Sequence, residues 1–307
     1  MSGFHGLQPD PSMIGRLVKP AFALLPDPAV LFGRRAERFA VLAEGSAMAP
    51  YLRFLGGIAR VQQQLAESLP PPSPVPAEQR ERARANTMPP LDRAAMGASP
   101  ELRATIAAFL DAAAGLEMPP QAAAALEDLR RAEPSVLDEM IGNVMADSIP
   151  VESLPQHLFL SAAAQVHAAR LASTLDAEKL VPVEIGVCPA CGGPPVSSIV
   201  VGHQGAEGAR YAVCSLCNTG WNEVRIKCLA CGSTKGVGYK EAEDGGAGAT
   251  VKAETCDSCR SWVKIFYANK NPALEAVADD VASLGLDLLM RETDYRRAGF
   301  DPFLIGY

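Results

Sequence analysis

Through most of the first 182 residues, apolar positions recur at helical spacing. Between Tyr51 and Leu69, Leu55, Ile58, Val61 and Leu65 fall three or four residues apart, which places them on one helical face. Pro70, Pro71, Pro72, Pro74 and Pro76 follow. Proline lacks an N–H and fixes φ, so this run ends the helix and predicts a stiff, extended connector. Ser99-Pro100-Glu101 reads as a helix start, with a capping hydroxyl, proline at the first helical position and an acid in the first turn. Leu102, Ile106, Phe109 and Leu110 then share a face. Pro119-Pro120 interrupts the pattern, and Leu126 and Leu129 mark a short helix. Pro134 opens another, with Leu137, Met140, Ile141 and Val144. A last helix runs from about Pro155 to Leu175 with Leu158, Ala162, Val166 and Ala169 in one stripe. Helices joined by short proline-containing turns predict an irregular antiparallel bundle.

Near Pro182 the period changes. Short β-like runs alternate with glycine-rich turns: Val196 to Val201, Tyr211 to Val213, Glu223 to Ile226, Val251 to Ala253 and Trp262 to Tyr267. Glu243-Asp244-Gly245-Gly246-Ala247-Gly248 reads as a mobile loop between strands. After Pro272 helical spacing returns, with Val277, Val281, Leu284 and Leu288 on one face, and the tail from Asp301 to Tyr307 is apolar enough to dock. The expected fold is α+β. Residues 1–182 form a mainly helical N-terminal domain. Residues 183–226 and 227–270 form two tandem rubredoxin- or zinc-ribbon-like metal modules, and residues 271–307 a C-terminal helix and tail packing back.

Composition adds limits to this picture. The 307 residues are 48% hydrophobic and 21% charged, an ordinary globular balance. The net charge is −7, so the chain has no bulk attraction for nucleic acid or anionic membrane. No stretch approaches the roughly 20 apolar residues that span a bilayer. The apolar run Pro20 to Leu25 is broken by Pro26, Asp27 and Pro28, and no basic segment leads into an apolar one at the N-terminus. The expectation is a cytoplasmic protein without a signal peptide.

The cysteines change the picture most. All eight lie in CxxC pairs. Cys188-x2-Cys191 is followed after 22 residues by Cys214-x2-Cys217, and Cys228-x2-Cys231 after 24 residues by Cys256-x2-Cys259, with ten residues between the halves. This is a duplicated module. A CxxC knuckle aims two sulfurs at one ion, and two knuckles complete a tetrahedral site of four sulfurs. Gly192 and Gly232 directly follow the leading knuckles, where a residue without Cβ accepts positive φ; Asn218 and Arg260 hold that position in the trailing ones, and Arg260 fits it least well. The spacing predicts two metal ions, iron or zinc, each held by four cysteines. Structural disulfides and a thioredoxin-like redox pair are the competing readings, and crossed rather than sequential pairing of the knuckles stays open. A complete set of four sulfurs leaves no position for an activated water, which argues against metal-catalysed hydrolysis.

The remaining candidates are weaker. His5, His157, His167 and His203 form no ligand pattern, which favours surface or core roles. Asp279, Asp280 and Asp287 flank the apolar stripe of the last helix. They read first as a solvated or ion-paired face, and second as a surface that binds a basic partner. No phosphate loop, nucleophile elbow or Ser/His/Asp set is present in the sequence, so a non-enzymatic role is expected.

Three stretches resemble the formate dehydrogenase accessory protein family, FdhE: Cys188-Pro189-Ala190-Cys191-Gly192-Gly193-Pro194-Pro195-Val196; Cys214-Ser215-Leu216-Cys217-Asn218-Thr219-Gly220-Trp221 with Arg225 and Lys227-Cys228; and Val277 to Leu289 with Gly299-Phe300-Asp301-Pro302-Phe303-Leu304. Gly220, Trp262 and Asp301 depart from the family pattern, and none of the departures falls on a cysteine. The resemblance implies a cytoplasmic maturation factor with rubredoxin-like modules that bind iron or zinc. It would contact the catalytic subunit of a formate dehydrogenase before export, with self-association open. The alternatives are a rubredoxin-like electron carrier using mononuclear iron and a zinc-ribbon nucleic-acid binder. The second is disfavoured because residues 185–268 carry eight Lys/Arg against seven Asp/Glu.

Overall fold

A computed structural model describes residues 20–202, 206–242 and 249–304. The glycine-rich stretch 243–248, the last three residues of the tail, His5, His203 and the extreme N-terminus lie outside the described residues.

The helical part contains α1 (Leu31–Ala43), α2 (Ala49–Ser68), α3 (Ala77–Ala85), α4 (Arg93–Gly97), α5 (Pro100–Ala113), α6 (Pro120–Arg131), α7 (Pro134–Met145) and α8 (Leu154–Ala172). Their starts follow local chemistry. Ser99 Oγ accepts from Leu102 N–H at 3.0 Å and Asp92 Oδ1 from Ala95 N–H at 3.0 Å, each satisfying an orphan donor of the first turn. Proline sits in the first turn of α2, α5, α6, α7 and α8, where its missing N–H removes no helical bond. The proline run after α2 carries no regular element up to α3, in line with its sequence.

The spacing in α8 predicts a single apolar stripe. The helix is instead buried on nearly all sides, from His157 and Phe159 to Ala172, with α2, α5, α6 and α7 packed around it. Its alanines make this possible, since small side chains let neighbouring helices approach from every direction. A helix covered all round is the centre of a bundle.

The strands are β1 (Ala23–Leu24), β2 (Pro195–Val200), β3 (Arg210–Cys214), β4 (Gly220–Glu223), β5 (Val237–Lys240), β6 (Val251–Cys256), β7 (Ser261–Tyr267) and β8 (Arg296–Arg297). β2-β3-β4 and β5-β6-β7 are two antiparallel meanders, the structural form of the duplicated cysteine module. They join edge to edge through parallel pairing of β2 with β7, Ser198 opposite Ile265, into one sheet ordered β1-β4-β3-β2-β7-β6-β5, with β8 also on β7. The β-like run Glu223 to Ile226 is not a strand. β4 reaches only its first residue, Glu223, leaving Val224 and Ile226 exposed.

The Val277–Leu288 stripe predicts one C-terminal helix, and the chain forms two, α9 (Ala278–Ala282) and α10 (Leu284–Arg291). Ser283, at φ −91° and ψ 29°, breaks the turn and resets the face. As a result Leu288 is 48% exposed, while Leu286 and Met290 pack inward. The C-terminal segment packs back through Arg38 of α1, which grips Asp279 by two bonds of 2.9 and 2.6 Å, and through Tyr51 of α2, whose hydroxyl donates to the Phe303 carbonyl at 2.6 Å.

Candidate metal centres

Each leading knuckle is a turn closed by its own backbone. Cys188 N–H donates to Gly193 O and Gly192 N–H to Cys188 O, both at 2.9 Å; Cys228 N–H to Ser233 O and Gly232 N–H to Cys228 O repeat the pattern at 2.9 and 3.0 Å. The turn requires positive φ at its fifth residue, and all four knuckles show it: Gly192 at 78°, Gly232 at 73°, Asn218 at 57° and Arg260 at 53°. The two non-glycine residues are tied in place. Asn218 Oδ1 accepts from Arg35 Nη2 at 2.6 Å, while the Arg260 guanidinium lies 5.6 Å from the Tyr295 ring centroid.

The eight sulfurs gather into two sets, Cys188, Cys191, Cys214, Cys217 and Cys228, Cys231, Cys256, Cys259, each with its sulfurs within 4.8 Å of one another. This is the sequential grouping. In the first set Cys188 Sγ lies 3.6 Å from Cys217 Sγ and Cys191 Sγ 3.5 Å from Cys214 Sγ; in the second, Cys228–Cys259 and Cys231–Cys256 are both 3.7 Å. A disulfide needs about 2.05 Å. A tetrahedron with metal–sulfur bonds of about 2.3 Å has edges of about 3.8 Å, which these separations approach. Backbone N–H groups point at the sulfurs: Leu216 and Cys217 donate to Cys214 Sγ at 3.4 Å, and Ala230 donates to Cys228 Sγ at 3.3 Å. Such bonds favour thiolate, the form that binds metal. Donor set, spacing and backbone all fit an ion with four sulfur ligands, iron or zinc, at either cluster.

The first cluster lies in the seam between sheet and helices. Its cysteines are 0 to 2% exposed. Gln165 of α8 donates to Ser215 O at 2.8 Å and accepts from Arg35 at 3.0 Å and Gln62 at 3.1 Å. Arg35 also reaches Glu275 at 3.0 Å, so one buried guanidinium joins α1, α8, a trailing knuckle and the C-terminal segment. Leu91 N–H donates to Ala190 O at 3.0 Å, and Arg93, ion-paired with Asp147, stands beside Cys191 and Cys214. Sequence reasoning missed this seam. Arg35, Gln62, Gln165 and Arg93 carry no spacing signal, and only their positions among apolar helical residues set them apart. The second cluster lies at the other end of the sheet, with Cys231 and Cys259 exposed. Its leading knuckle is braced by the chain before Cys188. A Cβ at Gly186, whose φ is +69°, would fall 2.3 Å from the Leu229 carbonyl oxygen.

Asp279, Asp280 and Asp287 do not form a recognition surface, which corrects the second reading of them. They are 3, 0 and 3% exposed. Asp279 is held by Arg38. Lys264 of β7, itself fully buried, donates to the Asp280 carbonyl at 2.6 Å and pairs with Asp280 and Asp287, and Arg297 of β8 pairs with the same two carboxylates. One fully buried cation, Lys264, and one half-buried, Arg297, face these two buried anions, and the helices carrying the carboxylates are drawn inward. Burial pulls the Asp280 carboxyl upward, but Lys264 and Arg297 outweigh it and hold it below its ordinary range. Burial, reinforced by the neighbouring Asp280 charge, pushes Asp301 well above the carboxylate range. His157 and His167 are core residues, one of the two roles their spacing suggests. Among the described residues no helix is long and apolar enough to cross a membrane.

The chain matches FdhE domain families along its length: N-terminal over residues 20–184, central over 187–225 and C-terminal over 226–304. It is 62% identical over 301 residues to a FdhE homolog of Rhizobium meliloti (strain 1021), covering 98% of both chains. It is 36% identical over 279 residues to the FdhE protein of Escherichia coli (strain K12), covering 89% of this chain and 88% of the other. The crystal structure of the FdhE protein from Pseudomonas aeruginosa superposes with a TM-score of 0.79 at 34% identity, covering 93% of this chain and 99% of that one.

Proposed function

We propose a function for this chain from one premise: it belongs to the FdhE family. Membership supports the role of a formate dehydrogenase accessory protein. The reading proposed beyond that is a cytoplasmic maturation factor that binds the catalytic subunit of a formate dehydrogenase before export, and that acts by binding rather than by catalysis. In this reading all eight cysteines hold two ions, iron or zinc.

The observation that carries the reading is the first cluster's place in the seam. Four cysteines would fill every position of a tetrahedral ion there, and the knuckles are bonded to α1, α8 and the segment entering α4. An ion so placed offers no site for substrate or activated water, and its effect is to hold sheet and helices as one rigid body. Rigidity of that kind serves recognition. A groove of about 770 Å³ lies beside this seam, lined by Arg34 and Val41 of α1, Val30 just before it, Ile199 and Val213 of the sheet, and Leu274. Its mixed apolar and charged lining suits a protein surface, and it takes the place of the aspartates as the client face.

The test is co-purification of the tagged chain with the catalytic subunit from its own cells, together with formate dehydrogenase activity in a deletion strain. The expected result is a stable complex and activity that falls without the gene and returns with it. A deletion strain with full activity would overturn the reading.

A further inference from the structure

The two clusters have the same donors, the same CxxC knuckles, positive φ at the same knuckle residues and sulfur separations of 3.5–3.7 Å. With donors and knuckle geometry alike, the largest difference between them is what covers them, and the covers differ sharply. We propose that the second cluster is a solvent-facing, exchangeable metal site entered along the edge formed by Cys231 and Cys259, whereas the first cluster keeps its ion locked. The proposal rests on reading both clusters as metal sites.

At the first cluster no sulfur faces water. An added Cβ at Gly193 would meet Cys214 Sγ at 3.2 Å and both Cys191 Sγ and Arg93 Nη1 at 3.5 Å, so these groups already close around one point. Pro89 lies 3.3 Å from the corresponding position of Gly192. A groove beside α3 and α4 reaches Cys191 yet leaves it 2% exposed. An incoming ligand reaches this ion only if helices and sheet separate locally, which costs a substantial part of the global stability.

At the second cluster each knuckle turns one cysteine in and one out. Cys228 and Cys256 are 4% and 1% exposed, while Cys231 and Cys259 are exposed. The outer edge is lined by small hydroxyls rather than by a packed helix. Ser233 Oγ and Ser258 Oγ lie 3.1 Å apart, Ser233 half-buried and Ser258 exposed, and Ser261 Oγ lies 2.9 Å from Cys259 Sγ. Exchange there needs no unfolding. With an ion bound, Cys231 and Cys259 would be the thiolates that an incoming ligand displaces, each taking up a proton from water as it leaves. No electron changes hands. The buried inner pair, Cys228 and Cys256, would be the last to let an ion go and the first in place to receive another.

The experiment uses the full chain loaded with two equivalents of Cd²⁺, whose thiolate charge-transfer absorption reports each bound ion, and challenges it with excess EDTA. One equivalent should leave at least about tenfold faster than the other, as expected when one route needs local unfolding and the other does not. N-ethylmaleimide added during the fast phase should label Cys231 and Cys259 ahead of Cys188, Cys191, Cys214 and Cys217. Cys231→Ser should abolish the fast equivalent and leave the slow one unchanged; if that variant fails to fold, the labelling order in the unaltered chain decides. Release of both equivalents at one rate, or early labelling of the first four cysteines, would overturn the asymmetry while leaving the metal reading intact. A folded chain that takes up no Cd²⁺ would overturn both.

Discussion

At the residue scale, His167 shows how burial alone gives a side chain a thermodynamic signature. It is 3% exposed in the centre of the bundle, and its Nε2 has no hydrogen-bond partner among the described residues. Burial, with Arg170 adding to it and Glu101 opposing, lowers its pKa from 6.5 to about 4. The folded state therefore holds a neutral imidazole over a range where the unfolded chain binds a proton. The resulting stability is complete above pH 6.5 and is lost as the pH falls toward 4. One pKa unit corresponds to about 1.4 kcal/mol, so His167 should contribute about 2 kcal/mol to the drop between pH 7.5 and pH 5. His167→Gln should remove that part of the drop, as read from urea denaturation midpoints at the two pH values. An equal drop in the variant would show that the imidazole takes up its proton without unfolding.

At the element scale, the two short helices α9 and α10 are held by charge as much as by apolar packing. Lys264 and Arg297 project from neighbouring strands at Asp280 and Asp287. Removing one member of a buried ionic group strands its partners without water. Lys264→Met should therefore destabilise the protein by about 3–5 kcal/mol, although methionine is apolar and similar in length. The double change Lys264→Met, Asp287→Leu should recover part of that loss. Chemical denaturation of the three chains checks both outcomes. The helical period after Pro272 and the acids beside it are legible in the sequence. The break at Ser283 is not, because serine is compatible with either a continued or an interrupted helix, and tertiary contacts chose between them.

At the scale of the whole molecule, the seam around the first cluster joins parts of the chain far apart in sequence. Arg35 alone bonds residues 130, 183 and 240 positions away. Among the described residues the second cluster has no comparable ties to the helices of the bundle. In chains supplied with two equivalents of metal, Cys214→Ser should lower the thermal midpoint of the whole protein and lose the cooperative transition shared by helices and sheet. Cys231→Ser should leave the main transition nearly unchanged. Circular dichroism at a helical wavelength, beside fluorescence of Trp221 and Trp262 in the sheet, distinguishes these cases, since uncoupled units melt at separate temperatures. Equal losses in the two variants would show that the seam contributes no more than the outer module.

The sequence by itself determined the parts that rest on local rules. Proline and capping residues set the helix starts, and repeated CxxC spacing set eight ligand candidates in a duplicated module. The left-handed backbone at the knuckles is legible even where Arg260 is a poor occupant, because the turn geometry follows from the two-residue spacing. What only the tertiary structure decided depends on neighbours distant in the chain. The sulfurs grouped sequentially rather than crossed, and the β2–β7 pairing merged two modules into one sheet. The buried Lys264 and the half-buried Arg297 turned Asp280 and Asp287 inward, and α8 became a centre rather than a face. The difference between the two clusters is of the same kind. Their cysteines are written alike in the sequence, and burial against the helical unit is what sets the first apart from the second.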